Sequence, residues 1–255
     1  MIALLGNLSR DVLPGQAARP GGAPYHGARA LRHLRIPAEI RARCAVADRA
    51  SLYAPLVHLG TPARYVPGTA TAGFEFSYDG DERRMRVTSV GDTWRATDLP
   101  ALDGSVRWVH VAPLLRSDFP AETLARLARG RRILFDGQGL VRVPRVGDLE
   151  LDDAYDPAVL RHVWALKLAD EEAAVLGDLH ALQVREVLVT HGSRGVTLYV
   201  DGRVEEVAAF PVDGDPTGAG DAFCVGYAAA RDAGHPPLSA ARRAVALVAE
   251  VLAGE

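Results

Sequence analysis

Short apolar runs alternate with longer amphipathic stretches along the chain, and this alternation constrains the fold more than any other feature of the sequence. A run that is apolar on both faces is typical of a buried strand in a parallel sheet, and a stretch with one apolar face is typical of a covering helix. The alternation therefore predicts an α/β fold in which helices cover both faces of a mostly parallel sheet. The predicted strands are 2–6, 39–46, 64–66, 106–111, 133–136, 163–168, 186–190 and 196–200. The predicted helices are 23–34, 51–59, 120–129, 171–177, 178–183, 218–233 and 239–252.

One segment, around 70–90, breaks the alternation of strand and helix. Apolar and polar residues alternate over 74–78, a turn signal follows in Asp79-Gly80-Asp81, and the alternation resumes over 84–87, which predicts a hairpin. A hairpin with two different faces does not fit inside a parallel sheet, so we expect it to project as a small β lid from a single domain of residues 1–255. Because the segment 12–20 is short, we expect little further chain to extend this lid. A surface hairpin without ligand contact is the alternative.

Composition argues against several functional classes. The formal net charge is −3 at pH 7, which leaves no basic surface for nucleic acid. The two cysteines, Cys44 and Cys224, lack the spacing of metal ligands, so a reduced, cytoplasmic setting is expected. Gly6-Asn7 interrupts the apolar start of the chain, and no apolar run is long enough to span a bilayer, so no membrane partner is expected.

A turn of small residues, Gly218-Ala219-Gly220, precedes Asp221 and an apolar stretch with helical character. Backbone N–H groups at the start of a helix are unpaired and carry the positive end of the helix dipole, so this turn can hold a phosphate. A carboxylate beside a phosphate repels it, and Asp221 is explained if it accepts the proton of a hydroxyl that attacks the phosphate. The alternative is an ordinary helix start that Asp215 or Thr217 caps.

The segment 215–221, together with the small residues Val225 and Gly226, resembles the C-terminal signature of the ribokinase-like (PfkB) carbohydrate kinases. The resemblance implies a three-layer α/β/α fold with a small β-hairpin lid over the acceptor site. It also implies ATP-dependent transfer of a phosphoryl group to a hydroxyl. The resemblance implies that Asp221 is the catalytic base and that Gly218, Ala219 and Gly220 form the anion hole.

The resemblance continues towards the start of the chain, where it implies residues that bind the acceptor. Asp11 follows the first predicted strand, and its carboxylate suits the vicinal hydroxyls of a polyol. Gly21 and Gly22 resemble paired glycines that bring a loop close to substrate, but His26 stands where the family usually has asparagine, so the acceptor is expected to differ from ribose or fructose. A solvated turn aspartate and a packed histidine are the alternatives for Asp11 and His26. Two further acceptor or ion candidates end another strand: Asp136 and Gln138.

Two other segments resemble the family's donor site. Glu172 falls on a glutamate that organises Mg²⁺ and its waters, whereas Ala169 replaces the asparagine that precedes it. Mg²⁺ keeps several waters and needs few carboxylates, so this departure does not exclude the ion. Asp170 is expected to cap the following helix. The residues assigned to nucleotide binding are Lys167, Thr190, Gly192, Gly195 and Thr217.

Together these features predict a small-molecule kinase that uses ATP and Mg²⁺ and phosphorylates a hydroxyl of a sugar or an inositol-like cyclitol. A nucleoside kinase of the same family is one alternative, and it would need an aromatic platform for the base. The candidates for that platform are Tyr25, Phe74, Phe76 and Tyr78. A non-catalytic metabolite sensor with the kinase fold is the other alternative, motivated by Ala169. A homodimer formed through the lid is a further expectation.

Overall fold

The computed structural model describes residues 1–79, 82–212 and 215–254. Within them the strands are β1 (Ile2–Asn7), β2 (Ser9–Val12), β3 (Arg19–Gly21), β4 (Ala38–Ala45), β5 (Ala63–Gly68), β6 (Ala72–Asp79), β7 (Glu82–Ser89), β8 (Trp108–Ala112), β9 (Arg132–Asp136), β10 (Gly147–Asp148), β11 (Ala165–Ala169), β12 (Glu186–Thr190), β13 (Val196–Val200) and β14 (Arg203–Val207). The α-helices are α1 (Ala23–Leu34), α2 (Ala54–His58), α3 (Ala121–Leu127), α4 (Gln138–Val141), α5 (Asp170–Leu176), α6 (Ala219–Asp232) and α7 (Pro237–Ala253).

The central sheet is built in the strand order β14-β13-β12-β11-β9-β8-β1-β4-β5. The pairings from β12 to β5 are parallel, and β13 and β14 extend one edge as antiparallel strands. Every residue of β1 is buried, as expected for a strand covered on both faces. Leu4 belongs to the core shared with α1, α6 and α7, whereas Leu5 belongs to the core shared with α3. The predicted three-layer α/β/α fold is therefore confirmed.

The lid is a second sheet and is larger than predicted. The hairpin of β6 and β7 forms as expected, but β2, β3 and β10 extend it in the order β10-β7-β6-β2-β3. The expectation that little chain extends the lid was wrong, because β2 pairs parallel with β6 and β3 pairs antiparallel with β2. Strands of three or four residues are too short to be recognised by alternation. Gly80 and Asp81 of the predicted turn lie outside the described residues.

Apolar side chains join the lid to the main sheet. Phe74, Phe76 and Val87 are buried in one cluster with Leu114 and Leu115, which follow β8. Burying aromatic rings in this way removes large apolar areas from water and holds the lid against the end of the sheet. Phe74 and Phe76 are therefore core residues of the lid.

Some local predictions differ from the structure. In place of the single helix predicted over 51–59, a π-helical turn (Arg49–Tyr53) leads directly into α2. The helix predicted over 178–183 is wrong, because a 3₁₀ turn (Leu179–Leu182) forms there, with the Asp178 carboxylate accepting the His180 N–H and Gln183 ending the turn in the left-handed region. Strand β14 escapes prediction because it lies at the edge of the sheet and is largely polar. Among the helices in the described part of the chain, none is both long and apolar enough to cross a membrane.

Candidate active site

Helix α6 begins at a turn whose backbone requires glycine. Gly218 occupies the N-cap position with φ of 83°, and a Cβ atom added there would lie 2.7 Å from atoms of the His26 ring. Any other residue would be strained and would also collide with that ring. Neither Asp215 nor Thr217 caps the helix, since the Thr217 hydroxyl instead donates to Asp215 (2.6 Å).

The turn places backbone donors at the positive end of a helix of 14 residues. The Ala219 N–H donates to the Pro216 carbonyl at 3.0 Å, so in this conformation one of the three predicted anion-hole residues uses its donor inside the turn. All three, Gly218, Ala219 and Gly220, are partly exposed. The turn therefore has the geometry of an anion site that a ligand can reach.

Asp221 lies in the first turn of α6. Burial of its carboxyl group raises its pKa to about 7, and the neighbouring carboxylate of Asp136 acts in the same direction. The cations Lys167 and Arg142 oppose this shift. A carboxyl group with this pKa can accept a proton at neutral pH and is a stronger base than an ordinary aspartate.

Lys167 lies behind the turn. Its Nζ is 3.5 Å from the Asp136 carboxylate, in register on the adjacent strand, and both side chains are buried. The same Nζ lies 3.3 Å from the position that a Cβ atom of Gly220 would take. Burial alone would lower the pKa of Lys167, but Asp136 and Glu172 raise it above its ordinary value, so the lysine is charged. The predicted nucleotide-binding lysine is thus a buried cation beneath the anion-hole turn.

The residues of the N-terminal segment that are predicted to bind the acceptor lie close together. Asp11 is on β2 and is buried, and the Ser9 hydroxyl donates to its carboxylate at 2.7 Å. A Cβ atom on Gly21 would lie 2.0 Å from an Asp11 oxygen, so only glycine leaves room for this carboxylate. Gly22 has φ of 85° and immediately precedes α1.

His26 packs against the anion-hole turn from α1. Its side chain is buried, and its Nδ1 has no hydrogen-bond partner among the described residues. Burial, and then the nearby positive charges of Arg29 and Arg19, lower its pKa to about 4. The imidazole is therefore neutral near pH 7, with one nitrogen that donates and one that accepts.

Asp136 is the last residue of β9, and Gln138 follows two positions later. The Asp136 carboxylate accepts the Gln138 N–H at 3.4 Å in addition to pairing with Lys167. Gln138 opens the short helix α4 and is partly exposed. Asp136 is therefore paired with the lysine, whereas Gln138 is partly exposed to solvent.

On the donor side, both oxygens of the buried Glu172 have neighbours. Oε2 accepts the Ala169 N–H at 2.8 Å, and Oε1 lies 3.9 Å from a guanidinium nitrogen of Arg142. Ala169, and not Asp170, is the N-cap residue of α5, so the predicted cap was wrong. The Asp170 carboxylate instead accepts hydrogen bonds from Arg194 and pairs with His191. The Oε1 atom, which has no hydrogen bond among the described residues, fits a hydrated Mg²⁺ that donor phosphates would also bind.

The remaining predicted nucleotide residues lie on the turn between β12 and β13 and before α6. The Thr190 hydroxyl donates to the Leu168 carbonyl (3.1 Å), and Gly192 opens a short 3₁₀ turn. Gly195 has φ of 114°, and a Cβ atom there would lie 2.0 Å from the Val207 carbonyl oxygen. Gly195 is therefore required for the packing of the turn against β14, whatever ligand binds nearby.

A cavity of about 900 Å³ opens between the lid and the start of α5. Glu172 and Arg142 line it from the main body, and Arg84 and Arg86 line it from the lid. Sequence reasoning missed Arg142, because an arginine after Asp136 and Gln138 carries no pattern that separates it from the many other arginines. Only its proximity to Glu172 and its effect on Asp221 identify it.

The fold defines the class of the protein. Its structure is similar to that of a pyrophosphate-dependent kinase in the ribokinase family, solved in complex with a pyrophosphate analog and myo-inositol. The TM-score is 0.86 at 24% sequence identity, and the match covers 99% of this chain and 95% of that chain. The chain therefore has the ribokinase fold.

Comparison of the amino-acid sequence identifies relatives of part of the chain. Residues 152–253 match the family model described as pfkB family carbohydrate kinase. It is 40% identical over 155 residues to the inositol 3-kinase of Zea mays, covering 58% of this chain and 40% of that protein. It is 32% identical over 188 residues to the inositol 3-kinase of Oryza sativa subsp. japonica, covering 66% and 46%. The matched part thus spans less than half the length of these curated relatives.

Proposed function

We propose that the chain is a kinase that transfers a phosphoryl group to a hydroxyl of a cyclitol such as inositol. The observation that carries this proposal is the position of Asp221, whose pKa is raised to about 7 at the start of α6, beside the glycine turn. A binding protein gains nothing from such a base next to an anion site, which argues against a sensor. The similarity to inositol 3-kinases supports a cyclitol as the acceptor.

In the proposed reaction, the acceptor oxygen forms a bond to the transferred phosphorus and the bond from phosphorus to the leaving oxygen of the donor breaks. The proton of the hydroxyl passes to the Asp221 carboxylate. The backbone of Gly218, Ala219 and Gly220 stabilises the charge on the transferred group. In this proposal Asp11 orients the hydroxyls of the acceptor, and the neutral His26 and Gln138 complete its hydrogen bonds.

Mg²⁺, when bound, would supply positive charge to the donor phosphates, and Glu172 would hold it through water. We propose ATP as the donor, bound along Lys167, Thr190, Gly192, Gly195 and Thr217. Pyrophosphate is the second candidate, because the ribokinase-family enzyme of similar structure depends on it. Both donors present the same terminal phosphoryl group to the turn.

The proposal is tested by supplying ATP or pyrophosphate with pools of cyclitols, sugars and nucleosides and following the release of ADP or inorganic phosphate. Acceptor-dependent release with a cyclitol pool is the expected result. If no pool supports release with either donor, while a cyclitol still raises the melting temperature, the sensor is correct and the kinase is rejected.

The rate should depend on pH through Asp221. The carboxyl group must be deprotonated to accept a proton, and its pKa is raised to about 7. We therefore expect kcat/KM for the acceptor to fall as the pH decreases through about 7 and to reach a plateau above it. A pH profile of initial rates at saturating donor measures this limb, and a profile that is flat across neutral pH would exclude Asp221 as the base.

Nucleosides should be poor acceptors. Of the four candidate rings, Phe74 and Phe76 are buried in the core of the lid and Tyr25 packs edge-on against His26, with ring centroids 5.5 Å apart. The side chain of Tyr78 lies outside the described part of the structure. We expect kcat/KM for myo-inositol to exceed that for inosine and cytidine by about tenfold or more, equivalent to the loss of one stacking contact. Competition between these acceptors in one assay measures the ratio, and a preference for a nucleoside would reverse the ranking.

A further inference from the structure

Arg142 is held in place by its backbone at the junction of α4 and the segment that follows it. Its N–H donates to the Gln138 carbonyl (3.0 Å), and its own carbonyl accepts the Arg116 N–H (3.1 Å). A β-bridge to Leu151 fixes the same residue from the other side. The base of the side chain is therefore fixed, which reduces the entropy that a bound ligand would have to remove.

The guanidinium group of Arg142 is largely buried and has few partners. Its side chain is 17% exposed, and among the described residues it donates no hydrogen bond. The nearest carboxylate oxygen is Glu172 Oε1 at 3.9 Å, which is the outer limit of an ion pair. A buried guanidinium with five N–H donors is costly unless it is hydrogen-bonded, and these donors line the large cavity between the lid and α5.

The other cation of the site cannot take the same role. Lys167 is paired with Asp136 at 3.5 Å and lies behind the Gly220 backbone. Arg142 instead faces the cavity and is near enough to Asp221 to influence its ionisation. Ala169 offers no side-chain polar group to a donor phosphate on this side. On the main-body side of the cavity, positive charge therefore comes from Arg142, whereas Arg84 and Arg86 line the cavity from the lid.

We propose that Arg142 binds non-bridging oxygens of the phosphoryl donor from the cavity between the lid and α5. A planar guanidinium matches the geometry of a phosphate group and forms charge-assisted hydrogen bonds with it. The inference rests on the proposed phosphotransferase activity. The ligand chemistry, a diphosphate group, is shared by pyrophosphate and by the β- and γ-phosphates of ATP.

The test compares donor binding by Arg142→Met and Arg142→Lys with the wild type. Isothermal titration with pyrophosphate and with the β,γ-methylene analogue of ATP needs no turnover. We expect Arg142→Met to weaken binding by about 10- to 100-fold, the range for a lost hydrogen bond to a charged group, and Arg142→Lys to retain part of it. Arg145→Met is the matched control, because Arg145 is exposed and pairs with Glu150 outside the cavity.

If Arg142→Met weakens the binding of only one ligand, that ligand identifies the donor. If it weakens the binding of both, Arg142 contacts the diphosphate group that the two ligands share. Unchanged binding of both ligands by Arg142→Met would overturn the proposal. If Arg142→Met does not fold, Arg142→Lys decides: the KM for the donor should rise about tenfold while the KM for the acceptor stays unchanged, and an equal change in both constants contradicts a donor contact. Absence of turnover in the wild type rejects the proposed function, but the titrations still decide whether Arg142 binds the diphosphate.

Discussion

Replacing Asp221 with asparagine should reduce kcat by about 100-fold or more, the range that removal of a general base costs. The amide keeps the size of the carboxyl group but cannot accept the proton of the attacking hydroxyl. Because the glycine turn and Lys167 are left in place, the affinity for the donor should change by less than about threefold. Single-turnover rates together with donor titrations separate these two quantities.

The matched control for this variant is Asp232→Asn, at the other end of α6. Asp232 pairs with the N-terminal amino group and with Arg107, away from the turn. Its replacement should leave kcat within about twofold, since the contacts of Asp232 lie at the opposite end of the helix from Asp221. Equal rates for wild type and Asp221→Asn would remove Asp221 from the mechanism and with it the argument for the kinase.

Replacing Lys167 with methionine should lower the free energy of unfolding by about 3–5 kcal/mol, the cost of leaving one partner of a buried ion pair alone. Asp136 is 2% exposed, and Lys167 is the cation paired with it. The loss should also raise the pKa of Asp221 further, because Lys167 is one of the two cations that hold it down. The acid limb of the pH profile should therefore move to higher pH in this variant.

The double variant Lys167→Met with Asp136→Asn tests the cause of this instability. The double variant contains no unpaired buried carboxylate, because both charges are removed. Its free energy of unfolding should therefore be higher than that of Lys167→Met alone. Urea unfolding of the wild type, both single variants and the double variant completes the cycle. A loss below about 1 kcal/mol in Lys167→Met would show that water reaches Asp136 and that the pair is not buried in solution.

The sequence predicts those parts of the site whose residues are consecutive in the chain. The turn at 217–221 and the glycine pair at 21–22 each occupy a few consecutive positions, and His26, which follows the pair on α1, packs against Gly218 of the turn. The central strands are predictable for the same local reason, since each is a short run buried on both faces.

The features that the sequence does not predict depend on contacts between segments that are far apart in the chain. The pair of Lys167 and Asp136 is separated by 31 positions and forms because β9 and β11 are neighbours in register. The proximity of Arg142 to Glu172 has the same origin, as does the burial of the lid residues Phe74 and Phe76 against Leu114 and Leu115. The homodimer through the lid stays a prediction, since β3 and β10 are the edges of that sheet in a single chain.

The continuity of β1 into the lid has a mechanical consequence. A single residue, Leu8, separates the central strand β1 from the lid strand β2. Asp11 therefore lies on the lid, whereas Asp221 lies on a helix that packs against the main sheet. Under the proposed function, the contact between the lid and the main sheet thus sets the distance between the residue that orients the acceptor and the residue that accepts its proton.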